Sequence, residues 1–566
     1  ARARVRARDE AEAEPDRREA EPADRSPLAP LPPRVARTVV LCTGFATFAL
    51  EVAWFRSLRA AYQATTDSFA LVLFGVLLPL ALGGAVAPWL ARRARPSLGT
   101  ILVAAAFVVL VTTPVIERID LVLVGASEPS TFTHAVARRL GLALAVLGPS
   151  MALIGVGLPW VLEATRDSRG VGLLYALNTL GATLGSLLAA WVLLPGIGFA
   201  RTAWVAAAVL AGAALLLDRS RRVRHLVVAG LGVVVAVAGA SEVGTLRVQT
   251  NLDEAHVVIA SKEGPDATVS VIEHADGGRH LVIDGFYAST TSSGSHYMPW
   301  MGHLPMLMHP DPRQALVICF GTGQTANAVR KEGPAHLDVV DVSGTVLQMA
   351  PHFPENEGVL DDPRVTPRVM DGRAWLRRTD TAYDVITLEP MPPTFAGSNA
   401  LYSADFYALA YERLAADGVI AQWLPFHLVS PEESAAIVGA FLQHFPQGFL
   451  WIDPEGTGIL VGRKGEGPLF PGLERDVPRD LAPAEVAARL RYGPDALERY
   501  AQLEEAVTDD NQLLSYGWGR MRWWGVGRGE LDTLRYQLDL LEAIAKPGPV
   551  PEVLARFLAE HPRPGS

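Results

Sequence analysis

Cysteine is almost absent: the 566 residues include only Cys42 and Cys319. One sits in an apolar run and the other in an expected strand, so they support neither a disulfide framework nor a zinc site. Positive charge is also short, with 50 Lys and Arg against 60 Asp and Glu, a net charge of −10. Spread over so long a chain, that balance offers no basic face suited to nucleic acid. Charged residues make up only 19% while hydrophobic ones reach 49%. No phosphate-binding P-loop, Ser-His-Asp arrangement or metal-ligand cluster stands out. The histidines, among them His296, His303 and His427, are scattered and read as structural.

The apolar excess lies in the first 240 residues. Residues 1–35 are Arg, Ala, Glu, Asp and Pro with almost no large apolar side chains, so this arm cannot bury enough surface to offset its ordering entropy and reads as disordered. Apolar stretches then fall near 36–60, 68–91, 99–117, 136–163, 171–195, 200–217 and 225–241. Several reach the roughly 20 residues needed to cross a bilayer, and small residues such as those of "NTLGATLGSLLAA" (178–190) suit close helix packing. The expectation is a multi-pass domain of about seven helices at 36–241, in a cell or inner membrane, with the lipid bilayer as partner. Arginines cluster after the second, fourth and sixth helices (Arg92, Arg93, Arg95; Arg166, Arg169; Arg219, Arg221, Arg222, Arg224). The positive-inside rule places those loops in the cytoplasm. Seven spans would then put everything after Ala240 outside, in conflict with a cytoplasmic domain fed by a cytosolic nucleotide. Within the first span, Glu51 and Arg56 read either as a functional intramembrane pair or as helix-end charges that snorkel to the interface.

Past residue 241 the chain reads as globular. "TVSVIEHADGGRHLVIDG" (268–285) alternates apolar and polar residues about a turn, a β-hairpin pattern within a small β unit expected at 246–310. From Ala315 apolar strands alternate with helical patterns, which argues for a mostly parallel sheet covered on both faces, a Rossmann-like α/β domain over 311–465. A helical tail is expected at 466–566. The turn Gly321-Thr322-Gly323 follows one strand and opens a helix, and glycine there lets backbone approach a ligand. Asp341 ends the next strand, about 20 residues on, where a carboxylate suits a ribose diol or a helix N-cap. Asp371-Gly372 and Glu389 end two further strands. Ligands of open α/β sheets sit at the carboxyl ends of the strands, so three acidic residues are expected to face one crevice.

Residues 246–465 resemble the spermidine synthase family of aminopropyltransferases, through "LVIDG", "HLPMLMHPDPRQALVI", the glycine turn, "DDPRV…DGRAWL", "YDVI" and "LYSADFY". With "EVAWFR", "LYALNTLGATLGS", "EPMPPTFAGSNALYSADFY", "QWLP" and "TDDNQLLSY" the chain looks like the membrane-fused branch of that family. The resemblance implies a methyltransferase-like fold that uses decarboxylated S-adenosylmethionine, or S-adenosylmethionine, as co-substrate, without a metal. It implies a small-molecule amine acceptor, and it allows a homodimer. By position it implies that Asp341 holds the ribose and Asp371 the adenine, with Gly321, Thr322, Gly323 and Gly372 around the cofactor. It further implies that Glu389 takes the proton of the attacking amine, that Tyr297 lines the acceptor pocket, and that Tyr402 lies in a closing loop or in the core. Thr322, Pro392, Ala288, Ser293, Gly294 and Pro299 stand where soluble polyamine synthases carry acidic or polar groups. A dication would find less charge compensation here. Aminopropyl transfer is therefore the first reading. Methyl transfer from S-adenosylmethionine, and a transporter or sensor with a non-catalytic nucleoside-binding domain, are the alternatives.

Overall fold

Long runs of Leu, Val and Ala between Pro33 and Gly239 can satisfy their backbone groups without water only as helices. In the computed structural model they are helices. The described residues are 31–62, 64–93, 96–119, 132–165, 168–239, 256–292, 296–453, 456–475, 490–516 and part of 535–542. The N-terminal arm to residue 30, Ser293, Gly294 and most of the stretch expected as C-terminal helices lie outside them.

The helices are α1 (Pro33–Tyr62), α2 (Thr66–Arg93), α3 (Leu98–Ile116), α4 (Phe132–Gly155), α5 (Gly157–Glu163), α6 (Ser168–Leu188), α7 (Leu194–Leu217) and α8 (Arg222–Gly239). Among the described residues, six continuous segments are long and apolar enough to cross a membrane, where the sequence suggested seven. The difference lies in the 48-residue run Gly170–Leu217. The stretches at 171–195 and 200–217 join through a π-helical turn at Ala189–Leu193, and the chain leaves helical geometry only at Gly198, with φ 76° and ψ 178°. Small residues set the contact of α1 with α6: a Cβ on Gly181 or Gly185 would collide with the carbonyl oxygens of Leu41 and Phe45.

Four antiparallel strands follow, β1 (Val257–Glu263), β2 (Thr268–Glu273), β3 (Arg279–Ile283) and β4 (Phe286–Thr290), in sequential order. Helix α9 (Tyr297–Met308) leads into an eight-stranded sheet. Its strands are β5 (Gln314–Ile318), β6 (His336–Asp341), β7 (Val365–Val369), β8 (Tyr383–Leu388), β9 (Leu414–Leu424), β10 (Phe449–Ile452), β11 (Gly458–Arg463) and β12 (Leu490–Tyr492). The spatial order is β12-β10-β11-β9-β8-β5-β6-β7. Strands β5 to β9 pair in parallel and β9 to β12 antiparallel. Near-continuous apolar sequence in β5, β6 and β8 reflects burial on both faces. Helices α10 (Gln324–Lys331), α11 (Gly344–Met349), α12 (Gly372–Arg378), α13 (Ala404–Arg413), α14 (Pro431–Leu442) and α15 (Pro494–Ala501) complete the domain.

From β5 the chain proceeds outward to β6 and β7, then returns to β8 and proceeds the other way. The strand order therefore reverses between β5 and β8, and a crevice opens at their carboxyl ends. The helical region meets both the four-stranded unit and the α/β domain there. Arg56 donates to the carbonyls of Gly264 (3.0 Å) and Pro265 (2.7 Å), and the Ala396 N–H donates to Ala64 O at 2.8 Å. The pairing of Arg56 with Glu51 does not occur. Residues five apart on a helix lie about 140° round its axis, off the three- and four-residue spacings that bring side chains together. The connectors after α2 and α7 lie at the opposite end of the helices, where Ser97 Oγ donates to Asp218 Oδ2 at 2.9 Å.

Candidate active site

The glycine turn is built by backbone conformations that side chains disfavour. Directly after β5, Cys319 takes φ 71°, Gly321 φ 56° and Gly323 φ 87°. At Gly323, the N-cap of α10, a Cβ would stand 2.5 Å from the Phe320 ring and 2.8 Å from Asn356 Cβ. Gly321 borders a cavity of about 310 Å³ at the β5–β8 crevice. Thr322 is buried and turned elsewhere, 3.2 Å from Ser289 Oγ and 3.0 Å from Gln324 Nε2. Cys319 proves not to be a strand residue: it lies beyond the end of β5 and lines the cavity. Burial, followed by the carboxylates of Asp341, Glu389 and Asp371, pushes its thiol well above the usual range, which keeps it protonated and poorly nucleophilic.

Asp341 closes β6 and also lines the cavity. Its two carboxylate oxygens accept from Phe320 N and Ser343 N, each at 2.8 Å. Burial pushes its carboxyl up to about 6, against the pull of those two backbone donors. The N-cap of α11 is Ser343, not Asp341: its hydroxyl accepts from Val346 N at 3.4 Å. Asp341 thus braces the glycine turn from the neighbouring strand.

Asp371 and Gly372 do not join Gly321, Asp341 and Glu389 in the cavity wall. Asp371 is exposed and caps α12, accepting from Ala374 N at 2.7 Å. Gly372 is needed for packing, since a Cβ would strike Ile318 Cγ2 of β5.

Glu389 follows β8, its N–H donating to Ile318 O at 3.3 Å, and its side chain reaches the cavity. Burial pushes its carboxyl up to about 7, against hydrogen bonds from Tyr297 and Thr325. Tyr297, the first residue of α9, donates its hydroxyl to Glu389 Oε1 and stacks on Trp423, with ring centroids 6.2 Å apart. The Tyr297 hydroxyl is itself pushed up by burial and by Glu389, so it remains the donor. A carboxyl that titrates near neutrality beside a fixed donor can accept a proton from a substrate. Tyr402 is fully buried in the core and does not reach the cavity. Its hydroxyl points to Met391 O at 3.5 Å, beneath the loop that follows Glu389. The segment "TDDNQLLSY" straps that region. Asp509 receives Arg373 at 2.8 and 2.5 Å and Ser403 at 2.9 Å, while Asn399 donates to Gln512 at 2.9 Å.

Sequence reasoning missed one wall. Arg59, Ala64, Asp266 and Asp284 line the same cavity, the first two from α1 and the connector after it. Arg59 forms an ion pair with Asp284 and donates to Asp266 O at 2.9 Å. The carboxylate of Asp284 also accepts from Thr268 N at 2.9 Å. The signal was present in "EVAWFRSLR", where a second arginine follows Arg56 at a three-residue spacing that puts both on one helix face.

Residues 295–430 match the model of the spermine/spermidine synthase domain. The polyamine aminopropyltransferase of Nitrosomonas europaea is 30% identical over 188 residues, 33% of this chain and 56% of its own length. That of Thermotoga neapolitana is 28% identical over 164 residues, 29% of this chain and 55% of its own. The chain thus spans about half the length of these relatives. Among solved structures, spermidine synthase from Thermotoga maritima aligns with 44% of this chain and 88% of its own at 23% identity, with a TM-score of 0.38. A spermidine synthase in complex with the transition state analogue AdoDATO aligns over the same shares with a TM-score of 0.39. The likeness is thus to a spermine/spermidine synthase domain, and it lies in the C-terminal part of this chain.

Proposed function

We propose that the protein is a membrane-anchored transferase that moves an aminopropyl group from decarboxylated S-adenosylmethionine to an amine. The observation that carries this reading is Glu389, hydrogen-bonded by Tyr297, in the wall of the same cavity as Gly321 and Asp341. Asp341 would meet the ribose of the donor, and Asp371, exposed just outside the cavity, the adenine. The cavity wall holds four carboxylates, Asp266, Asp284, Asp341 and Glu389, against the single guanidinium of Arg59, a balance that favours a cationic sulfonium. The acceptor enters as an ammonium and loses a proton to Glu389. Its nitrogen lone pair then attacks the propyl carbon bonded to sulfur. The C–N bond forms as the C–S bond breaks, and that electron pair stays on sulfur, which leaves as a neutral thioether. The six apolar segments would hold the chain in a bilayer, with exposed Phe74, Leu77 and Trp191 facing lipid.

Methyl transfer from intact S-adenosylmethionine is the second reading. It is favoured by Thr322, which puts no carboxylate at the glycine turn and faces Met298 and Gln324 instead of the cavity. Product analysis by mass spectrometry separates the two. Incubation with decarboxylated donor and a panel of amines should release methylthioadenosine and an aminopropylated amine. Release of S-adenosylhomocysteine and a methylated product from the intact donor would overturn aminopropyl transfer.

A further inference from the structure

A second cavity, of about 160 Å³, lies between α1 and α2. It shares Arg59, Ala64 and Ala396 with the cavity that holds Glu389, so the two adjoin. Its other walls are mostly apolar, formed by Phe55, Phe69 and Val72. The rings of Phe55 and Phe69 meet edge to face with centroids 4.9 Å apart. Phe69 is also 45% exposed, and Phe74 and Leu77 on the same helix are exposed as well.

Charge decides what can span the two cavities. Glu389 offers a carboxylate for one ammonium. The second cavity has no carboxylate in its wall, and Arg59 stands at the seam. The Nε of Arg59 is buried without a hydrogen-bond partner, and its Nη2 is held by Asp284 and the Asp266 carbonyl, so the guanidinium is fixed in place. A second ammonium extending past Glu389 in this direction would find Arg59, which already occupies Asp284, and then an apolar wall without a carboxylate, and burying it there is costly. An alkyl chain meets neither penalty.

We propose that the acceptor is a primary amine carried on an apolar chain, with its nitrogen at Glu389 and its tail in the cavity between α1 and α2. The proposal rests on the reading of Glu389 as the base, and it assigns the helices a part in acceptor selection. The tail enters from the bilayer side, past Phe69.

The test uses the full-length protein in nanodiscs, decarboxylated S-adenosylmethionine, and n-alkylamines from propylamine to octylamine beside α,ω-diamines of equal length. Methylthioadenosine release should show kcat/KM rising by up to about fourfold per added methylene until the cavity is filled. Each diamine should be tenfold or more poorer than its monoamine. Val72→Trp, which fills the second cavity, should flatten the chain-length dependence and spare propylamine. Phe69→Ala, which enlarges it, should move the optimum to longer chains, and it carries the test if Val72→Trp does not fold. Preference for diamines, or an equal effect of both variants on every amine, would overturn the proposal. If no amine releases methylthioadenosine, the transferase reading fails and binding of a dansylated alkylamine decides the cavity. Tighter binding with chain length that Val72→Trp abolishes sustains it; binding insensitive to both defeats it.

Discussion

Glu389→Gln should cut turnover sharply and, at alkaline pH, stabilise the protein. Raising a carboxyl from its ordinary 4.5 to about 7 corresponds to about 3 kcal/mol against the ionised form in the folded state. The unfolded chain ionises this group near 4.5 and the folded chain only near 7. Stability therefore falls as pH rises through that window, and the whole penalty is present above it. Glutamine keeps the shape and an acceptor for Tyr297 but never ionises. The variant should match the parent near pH 4.5 and exceed it by up to about 3 kcal/mol at pH 8. Loss of the base should lower kcat by about two to four orders of magnitude, while donor binding changes little. Thermal unfolding of both proteins at pH 4.5 and 8, beside methylthioadenosine release and donor binding by calorimetry, reads all three quantities. A variant that keeps activity, or a stability difference equal at the two pH values, would refute the assignment of Glu389 as a strained, functional carboxylate.

Tyr297→Phe removes a donor to the carboxylate, which at about 1.5–3 kcal/mol should push the Glu389 carboxyl up by roughly one to two pH units. The acid limb of the kcat/KM profile should move upward from near pH 7 accordingly; an unmoved limb would separate the tyrosine from the base. Gly323→Ala puts a Cβ at φ 87° and against Phe320, so donor affinity should drop at least tenfold and stability by about 1–3 kcal/mol, read by calorimetry and melting. In a variant with Cys42 and Cys319 replaced by serine, single cysteines at Ser220 and Asp311, both exposed and at opposite ends of the molecule, should react with an impermeant thiol reagent from opposite faces of intact and inverted vesicles. Labelling of both from one face would sink the transmembrane reading.

Much of the α/β domain was legible because its signals are local. Buried parallel strands read as apolar runs, and positive φ at Gly321 and Gly323 selects glycine in the sequence itself. Asp341 and Glu389 were readable as strand ends. Asp371 was readable as a strand end too, but not its cap of the next helix, since sequence carries no record of whether a strand-end carboxylate also points inward. In the helical region the stretches at 171–195 and 200–217 were legible as separate helices, and they meet at the kink at Gly198, while the continuity of the run across that single non-helical residue was not legible. What was hidden altogether is long-range. Arg59 and Asp284 are 225 positions apart, and no local pattern pairs them.

That hidden contact changes what the helices are for. An anchor alone needs only length and hydrophobicity, and would leave the loop after Glu389 free. Here the loop after Glu389 is tied down twice. Thr65 forms a β-bridge with Phe395 and Ala64 O accepts from Ala396 N on one side; Asp509 holds Arg373 and Ser403 beneath the loop on the other. Arg59 then neutralises Asp284 inside the cavity. Arg59, Ala64 and Ala396 form the wall shared by the two cavities, and Ala396 is hydrogen-bonded to Ala64. The same coupling weakens the reading of this chain as a transporter with an inert nucleoside domain. Its supposed intramembrane pair is absent, and Arg56 instead spends its hydrogen bonds on Gly264 and Pro265, in the turn between β1 and β2. Residues of the first two helices, of the four-stranded unit and of the strand ends line two adjoining cavities, though they are far apart in sequence.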